Sequence, residues 1–313
     1  MFLYIHAPHC TCLPLFLNIT SNTTNATSMG LHYKNMVSRK RSSQCHPLAD
    51  PDQNRFSRSK TNTRPQLAPE DPYLSYHDVR LTRDDVDCIK NDWLTDNAIA
   101  FWEEYLEHEK LGAYPKANIV LLRPSMAFLV MKTKDPLSLK SALPSFENVS
   151  HIFLPVNDCR TVDVAEGGSH WSLLLVSVND GVAFHYDSLS PANIDEAKLV
   201  THRISQLIGK PFKFMNLEDT PRQENSMDCG VYVCLLMQHL LISRLLTAHA
   251  QERVVMSLRG KEVDAHGGRK EMLRIIEARR KEGERRRSRS HSPYTHGSKS
   301  RSPPRIGDEN ADV

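Results

Sequence analysis

The sequence predicts an α+β fold: a central mixed or antiparallel sheet flanked by helices, with polar tails at both ends. Three stretches predict it. Residues 172–178 are a strongly β-prone run, Asn179-Asp180-Gly181 has the chemistry of a hairpin turn, and residues 182–187 read as the returning strand. Residues 231–246 are apolar on nearly every turn, which predicts a buried helix. Ile99, Phe101, Trp102, Tyr105 and Leu106 form an apolar stripe at helical spacing, which predicts a helix packed on the sheet.

Taken in order, residues 76–81 alternate like a short strand. Thr82 and Asp85 have the spacing of a helix-capping box and predict a short helix to Lys90. Residues 91–97 are a turn before the helix with the apolar stripe. Residues 118–122 form a strand stopped by Arg123-Pro124, and Ser125 can cap a helix over 126–132. Residues 151–156 are a strand, and a polar loop leads to Gly168-Ser169-His170. After the hairpin come a helix over 191–208, ended by Gly209, and a strand over 212–217. The boundaries expected are a disordered extension over 1–70, one domain over 71–247, a charged segment of helical propensity over 248–283, and a disordered Arg/Ser-rich tail over 284–313.

Forty Lys and Arg against 37 Asp and Glu give a net charge of only +3, with much of the arginine at the C-terminal end. The Arg-Ser tail lacks aromatics suited to base stacking, so nucleic acid is not the expected partner. A solvated tail, a nuclear-targeting or nucleic-acid-contacting tail and a phosphorylation-controlled tail all fit its composition. Seven cysteines at 10, 12, 45, 88, 159, 229 and 234 form no disulfide framework and suit a reducing compartment, the nucleus and/or cytoplasm. Cys10 and Cys12 lie near His6 and His9 without a full ligand set, so neither metal nor cofactor is expected. The apolar patch at 13–17 is too short to cross a membrane, and it lacks the basic flank of a signal peptide. The first residues read as an unstructured extension lying upstream of a start at Met29 or Met36.

The chemistry centres on Asp228-Cys229-Gly230, where a polar loop runs straight into the buried helix. The N-terminus of a helix favours negative charge, and the thiolate is the reactive form of cysteine. Counting back through the turn at 179–181 puts His170 and Asp187 at the same end of the hairpin, neighbours that can serve as base and orienting carboxylate. His185 is a rival base, but it sits within a strand and should point to a face. Gln223, six residues before Cys229, can donate its amide to an oxyanion beside the backbone N–H of Cys229. Cys234 lies elsewhere on the helix and reads as core.

His170-Trp171, Tyr186-Asp187-Ser188 and Gln223 followed by Asp228-Cys229-Gly230, in that order, resemble the ubiquitin-like-protein-specific cysteine proteases, which include the SUMO proteases and the deneddylases. The resemblance covers about 73–246. It takes in Asp92-Trp93-Leu94 with Asp96 and Leu154-Pro155-Val156-Asn157-Asp158. With Gly167-Gly168-Ser169-His170-Trp171 and Phe184-His185-Tyr186-Asp187-Ser188, it runs closest to the deneddylase branch. Leu94-Thr95-Asp96 and Glu224 depart from the usual family pattern. The resemblance implies a papain-like fold of the ubiquitin-like protease type and cleavage after the C-terminal Gly-Gly of a modifier. The implied catalytic residues are His170, Asp187, Cys229 and Gln223. Trp93 and Trp171 would form a flat channel over the Gly-Gly tail, and Asp96 would contact the basic tail of the modifier. The partners implied are the neddylation modifier and its conjugates, such as cullins, with SUMO second. A SUMO protease, an inactive modifier-binding module and an RNA-associated protein are the alternatives.

Overall fold

The structure, a computed structural model, describes residues 4–6, 68–159, 168–248, 252–290 and 302–307. Its centre is a five-stranded mixed sheet in the order β4-β5-β6-β7-β8, with β4 at Ile119–Leu121, β5 at His151–Asn157, β6 at Trp171–Ser177, β7 at Val182–Tyr186 and β8 at Lys213–Asn216. β5, β6 and β7 are antiparallel neighbours, and β4 and β8 join the edges in parallel. Helices cover both faces, as expected for this α+β fold.

Side chains alternate along the strands with period two, so each strand feeds two cores. Phe153, Leu173, Leu175, Phe184 and Tyr186 face one cluster. Ile152, Leu154, Val156, Leu174, Val176 and Ala183 face the other. The second face is covered by α3 (Pro124–Lys132) and α4 (Ile194–Ile208). Ser125 does not cap α3. Pro124 occupies the first turn, where its missing N–H costs nothing.

The first face is covered by α2 (Asp96–Glu109) and α5 (Cys229–Leu240), which continues as a π-type turn at Leu241–Leu245. The fully buried Trp102 of α2 satisfies its indole N–H on the carbonyl of Cys234, 3.0 Å away. That bond fixes α2 against the helix that begins at Cys229. Ahead of α2, α1 (Arg83–Asn91) starts with the expected capping box between Thr82 and Asp85.

Further expectations fail at the edges of the domain. The alternation at 76–81 hides a hairpin: β2 (Pro72–Tyr76) and β3 (Val79–Thr82) meet at His77, which has φ 47°. Period-two alternation cannot show a two-residue turn whose residues are themselves polar. The extension over 1–70 is not wholly outside the fold, because β1 (Tyr4–His6) pairs antiparallel with β9 (Arg253–Val255) and Ile5 is 1% exposed. Full burial of one such side chain contributes about 1.5–3 kcal/mol toward docking a strand too short to leave a periodic signal. The segment after 247 is part of the domain. Its helix α6 (Ala265–Ser290) runs past the expected boundary at 283 and buries Met272, Ile275 and Ile276 on the first face. That stripe is hidden in the sequence by the charged residues around it. β10 (Arg305–Ile306), in the expected tail, pairs parallel with β2 and buries Ile306. Met29, Met36, Cys10, Cys12, His9 and Gly167 lie outside the described residues.

Candidate active site

The site forms at one end of the central sheet. The hairpin register pairs Leu173 with Tyr186, so Ser172 faces Asp187 and His170 lies just beyond the end of the ladder. His170 Nε2 is 2.6 Å from Asp187 Oδ1, and both residues are buried. Asp187 Oδ1 also accepts from the backbone N–H of Leu189 at 2.9 Å, and Oδ2 accepts from that of Asn193 at 3.1 Å. Asn193 in turn donates from Nδ2 to the Val156 carbonyl and to Ser172 Oγ, each at 3.1 Å. The carboxylate is thus held on both oxygens, and hydrogen bonds donated to a carboxylate favour its charged form.

Burial disfavours charge on both partners and is the largest single influence on each. On Asp187 it is outweighed by the His170 hydrogen bond and the two backbone N–H groups, and the net shift is downward. On His170 it is outweighed by the hydrogen bonds and charges of Asp187 and Cys229, and the net result is a rise to about 9. Nε2 is taken by Asp187, which leaves Nδ1, buried and without another conventional partner, for Cys229. An imidazole so placed can exchange a proton with the thiol on one side while its orientation is fixed from the other.

Cys229 is the first residue of α5 and is 1% exposed. The helix arrives here through a close backbone contact: a Cβ on Gly230 would lie 2.8 Å from Leu94 Cβ. Glycine is required for that approach, and it brings the turn at 92–95 against the helix that begins at Cys229. The turn itself is held by Asp85, which is fully buried and accepts from Thr95 Oγ1 at 2.7 Å and Asn97 Nδ2 at 3.3 Å. Trp93 stands on this turn, 40% exposed. Trp171, half-buried, follows His170 at the start of β6. Asp96, also half-buried, opens α2, and its Oδ1 accepts from the N–H of Asn97.

Gln223 is buried in the loop before Cys229. Its Oε1 accepts from Ser188 Oγ at 2.6 Å, and its Nε2 donates to the Asn225 carbonyl at 2.6 Å. Because a carbonyl can only accept, the amide orientation is fixed, and one N–H of Nε2 is left over after that bond. The backbone N–H of Gln223 also reaches the Ser188 carbonyl, at 3.2 Å. Ser188 therefore ties the amide to the residue that follows Asp187.

His185 does not join the site. It is buried in β7 between Asn216 Oδ1 and Ser172 Oγ, each 2.9 Å from a ring nitrogen, and burial pushes its pKa down. Cys234 is fully buried, and burial raises its thiol pKa well above the ordinary value, as suits a core residue. Sequence reasoning missed Asp85, Ser188 and Asp158. Asp158 accepts from the N–H groups of Ser169, at 2.6 Å, and His170, at 3.0 Å, and so sets where the imidazole leaves the strand. Its place in the Leu-Pro-Val-Asn-Asp stretch was the available signal. Among the described residues, no cluster has the makings of a metal site, and no helix is long and apolar enough to cross a membrane.

A thiol at a helix start, an imidazole and an anchored carboxylate, with an amide donor in the loop before the thiol, form the arrangement that a thiol hydrolase would use. Residues 92–270 match the Ulp1 protease family, C-terminal catalytic domain, and the chain belongs to that family. It is 37% identical over 209 residues to NEDD8-specific protease 2 of Schizosaccharomyces pombe, covering 65% of this chain and 50% of that one. It is 35% identical over 211 residues to NEDD8-specific protease 1 of the same organism, covering 65% and 49%. It is 33% identical over 165 residues to sentrin-specific protease 8 of Homo sapiens, covering 51% and 76%. The chain spans about half the length of the two fission-yeast relatives.

Proposed function

We propose that this chain is a cysteine isopeptidase that cleaves after the C-terminal glycine of the neddylation modifier, releasing it from lysines of conjugates such as cullins in the nucleus or cytoplasm. The observation that carries the reading is the buried His170–Asp187 pair placed against Cys229 at the start of α5. Family membership, and relatives named for action on NEDD8, support the choice of modifier.

The reaction follows from the geometry. Cys229 gives its proton to His170, and the thiolate attacks the glycine carbonyl. The oxyanion is met by the free N–H of Gln223 and by the unpaired N–H groups at the start of α5. His170, held protonated by Asp187, donates to the departing lysine amine. Water, deprotonated by His170, then hydrolyses the thioester and restores the thiol. Trp93 and Trp171 flank the approach to Cys229, where a tail without side chains fits, and Asp96 offers a carboxylate to a basic residue further along the modifier.

The test is a panel of modifiers carrying a C-terminal electrophile, offered to wild type and Cys229→Ala. Wild type should couple to the neddylation-modifier probe and Cys229→Ala should not. Labelling by the SUMO probe alone would overturn the modifier assignment. Modifier binding with no labelling by any probe would instead mark an inactive binding module.

A further inference from the structure

Asp228 occupies the position ahead of α5 where an aspartate ordinarily turns its carboxylate onto the first free N–H groups of the helix. Here it makes no such cap. Its Oδ1 is drawn away to Arg269, which donates from Nε at 2.9 Å and from Nη2 at 2.7 Å. Arg269 is 6% exposed and comes from the first turns of α6, far along the chain from the nucleophile. Its Nη2 also donates to the Met227 carbonyl at 2.9 Å. Its Nη1 donates to the carbonyls of Ile89, at 3.0 Å, and Cys88, at 3.4 Å. Those two carbonyls close α1, where a helix end favours a cation. The other oxygen of Asp228 accepts from Asn225 Nδ2 at 2.8 Å. At Gly268 a Cβ would lie 2.6 Å from the tip of Leu235 of α5, so the helix bearing Arg269 packs directly on the helix bearing Cys229.

We propose that Arg269 is a positioning residue of the active site, which holds the carboxylate of Asp228 off the N-terminus of α5 and so keeps the backbone N–H groups beside Cys229 open for the oxyanion. Released from the guanidinium, and with its backbone turned from φ −91°, ψ 0° to the extended geometry of a helix cap, Asp228 would cap the helix. It would then take the N–H of Gly230 or Val231, the second and third residues of the helix, and place a negative charge beside both the thiolate and the oxyanion developing at the N–H of Cys229. Arg269 lies outside the site's contact with substrate and acts through Asp228. The inference rests on the thiol-hydrolase reading given above.

The distinguishing feature is the sign of a double substitution. Arg269→Gln should lower kcat for a modifier bearing a C-terminal fluorogenic amide by about tenfold to a hundredfold, at or below the lower end of the loss for removing an oxyanion donor outright, with KM changed less than about threefold. Adding Asp228→Ala removes the competing carboxylate and should recover a large part of that loss. If the arginine only braced the fold, the second substitution would leave activity equal or worse. Arg269→Lys keeps the charge and stem but not the planar fork, and serves in both arms if the glutamine variant does not fold. Iodoacetamide alkylation of Cys229 gives a readout that needs no modifier: slowed in Arg269→Gln, recovered in the double variant. Folded variants with wild-type kcat, or a double variant no better than the single, would overturn the proposal. Absence of amidase activity in wild type with the alkylation pattern intact would sink the modifier-protease reading and leave the clamp standing.

Discussion

His170 and His185 belong to the same hairpin and are both buried, yet their environments drive them in opposite directions. Burial works against the charged form of each. His185 hydrogen-bonds only to the neutral Asn216 and Ser172, and burial, which outweighs the more distant charge of Asp187, pushes its pKa down. His170 has a carboxylate on one side and a thiol on the other, and its pKa rises to about 9. Burial alone makes a silent histidine. A charged partner held in place by backbone N–H groups makes one that can carry a proton at neutral pH.

Asp187→Asn should erase the difference between the two histidines and lower kcat by up to about four orders of magnitude, the loss expected when a triad carboxylate becomes an amide. An NMR titration in which His170 still lost its proton near pH 9 in that variant would break the comparison. Gln223→Ala sharpens it by leaving both imidazoles alone. It should slow turnover by about two to three orders of magnitude while the His170 titration stays where it was.

The pH dependence has a definite sign. The folded pKa of His170 lies above its ordinary 6.5. The pair's stabilisation is therefore full below pH 6.5 and is lost as pH rises through about 9. Asp187 is shifted downward, so at the acid end the same stabilisation is lost as pH falls through its lowered value. Urea denaturation of wild type and Asp187→Asn should show a stability gap that narrows from pH 6.5 to 9, and a gap that widens over that interval would refute the pairing. The smallest effect is expected at His185→Gln. It should cost about 1 kcal/mol of stability through its two neutral hydrogen bonds, with kcat within about threefold of wild type.

The hairpin and its shared end could be read from the sequence because register is a matter of counting: a two-residue period and a turn at Asn179–Gly181 fix which residues meet. Cys229 could be read because a polar loop met an apolar run. The supporting residues could not be read in the same way. Asp85, Asp158 and Ser188 act on neighbours that only the folded chain brings near. Arg269 lies beyond the expected domain end, inside a segment whose charge masks the buried stripe of Met272, Ile275 and Ile276. β1 and β10 are too short for any periodicity and are ordered by the edges they find, β9 and β2.

The contact between Gly230 and Leu94 has a consequence for how this site can change. Without a side chain between them, the nucleophile helix and the turn bearing Trp93 are geared together, with no clearance to absorb a new atom. Any residue larger than glycine at 230 would move the turn and the thiol at once, coupling a change in substrate fit to a change in reaction rate. Glu224, exposed in the loop before Cys229, is free of that coupling and is the place where a change of side chain need not move the thiol.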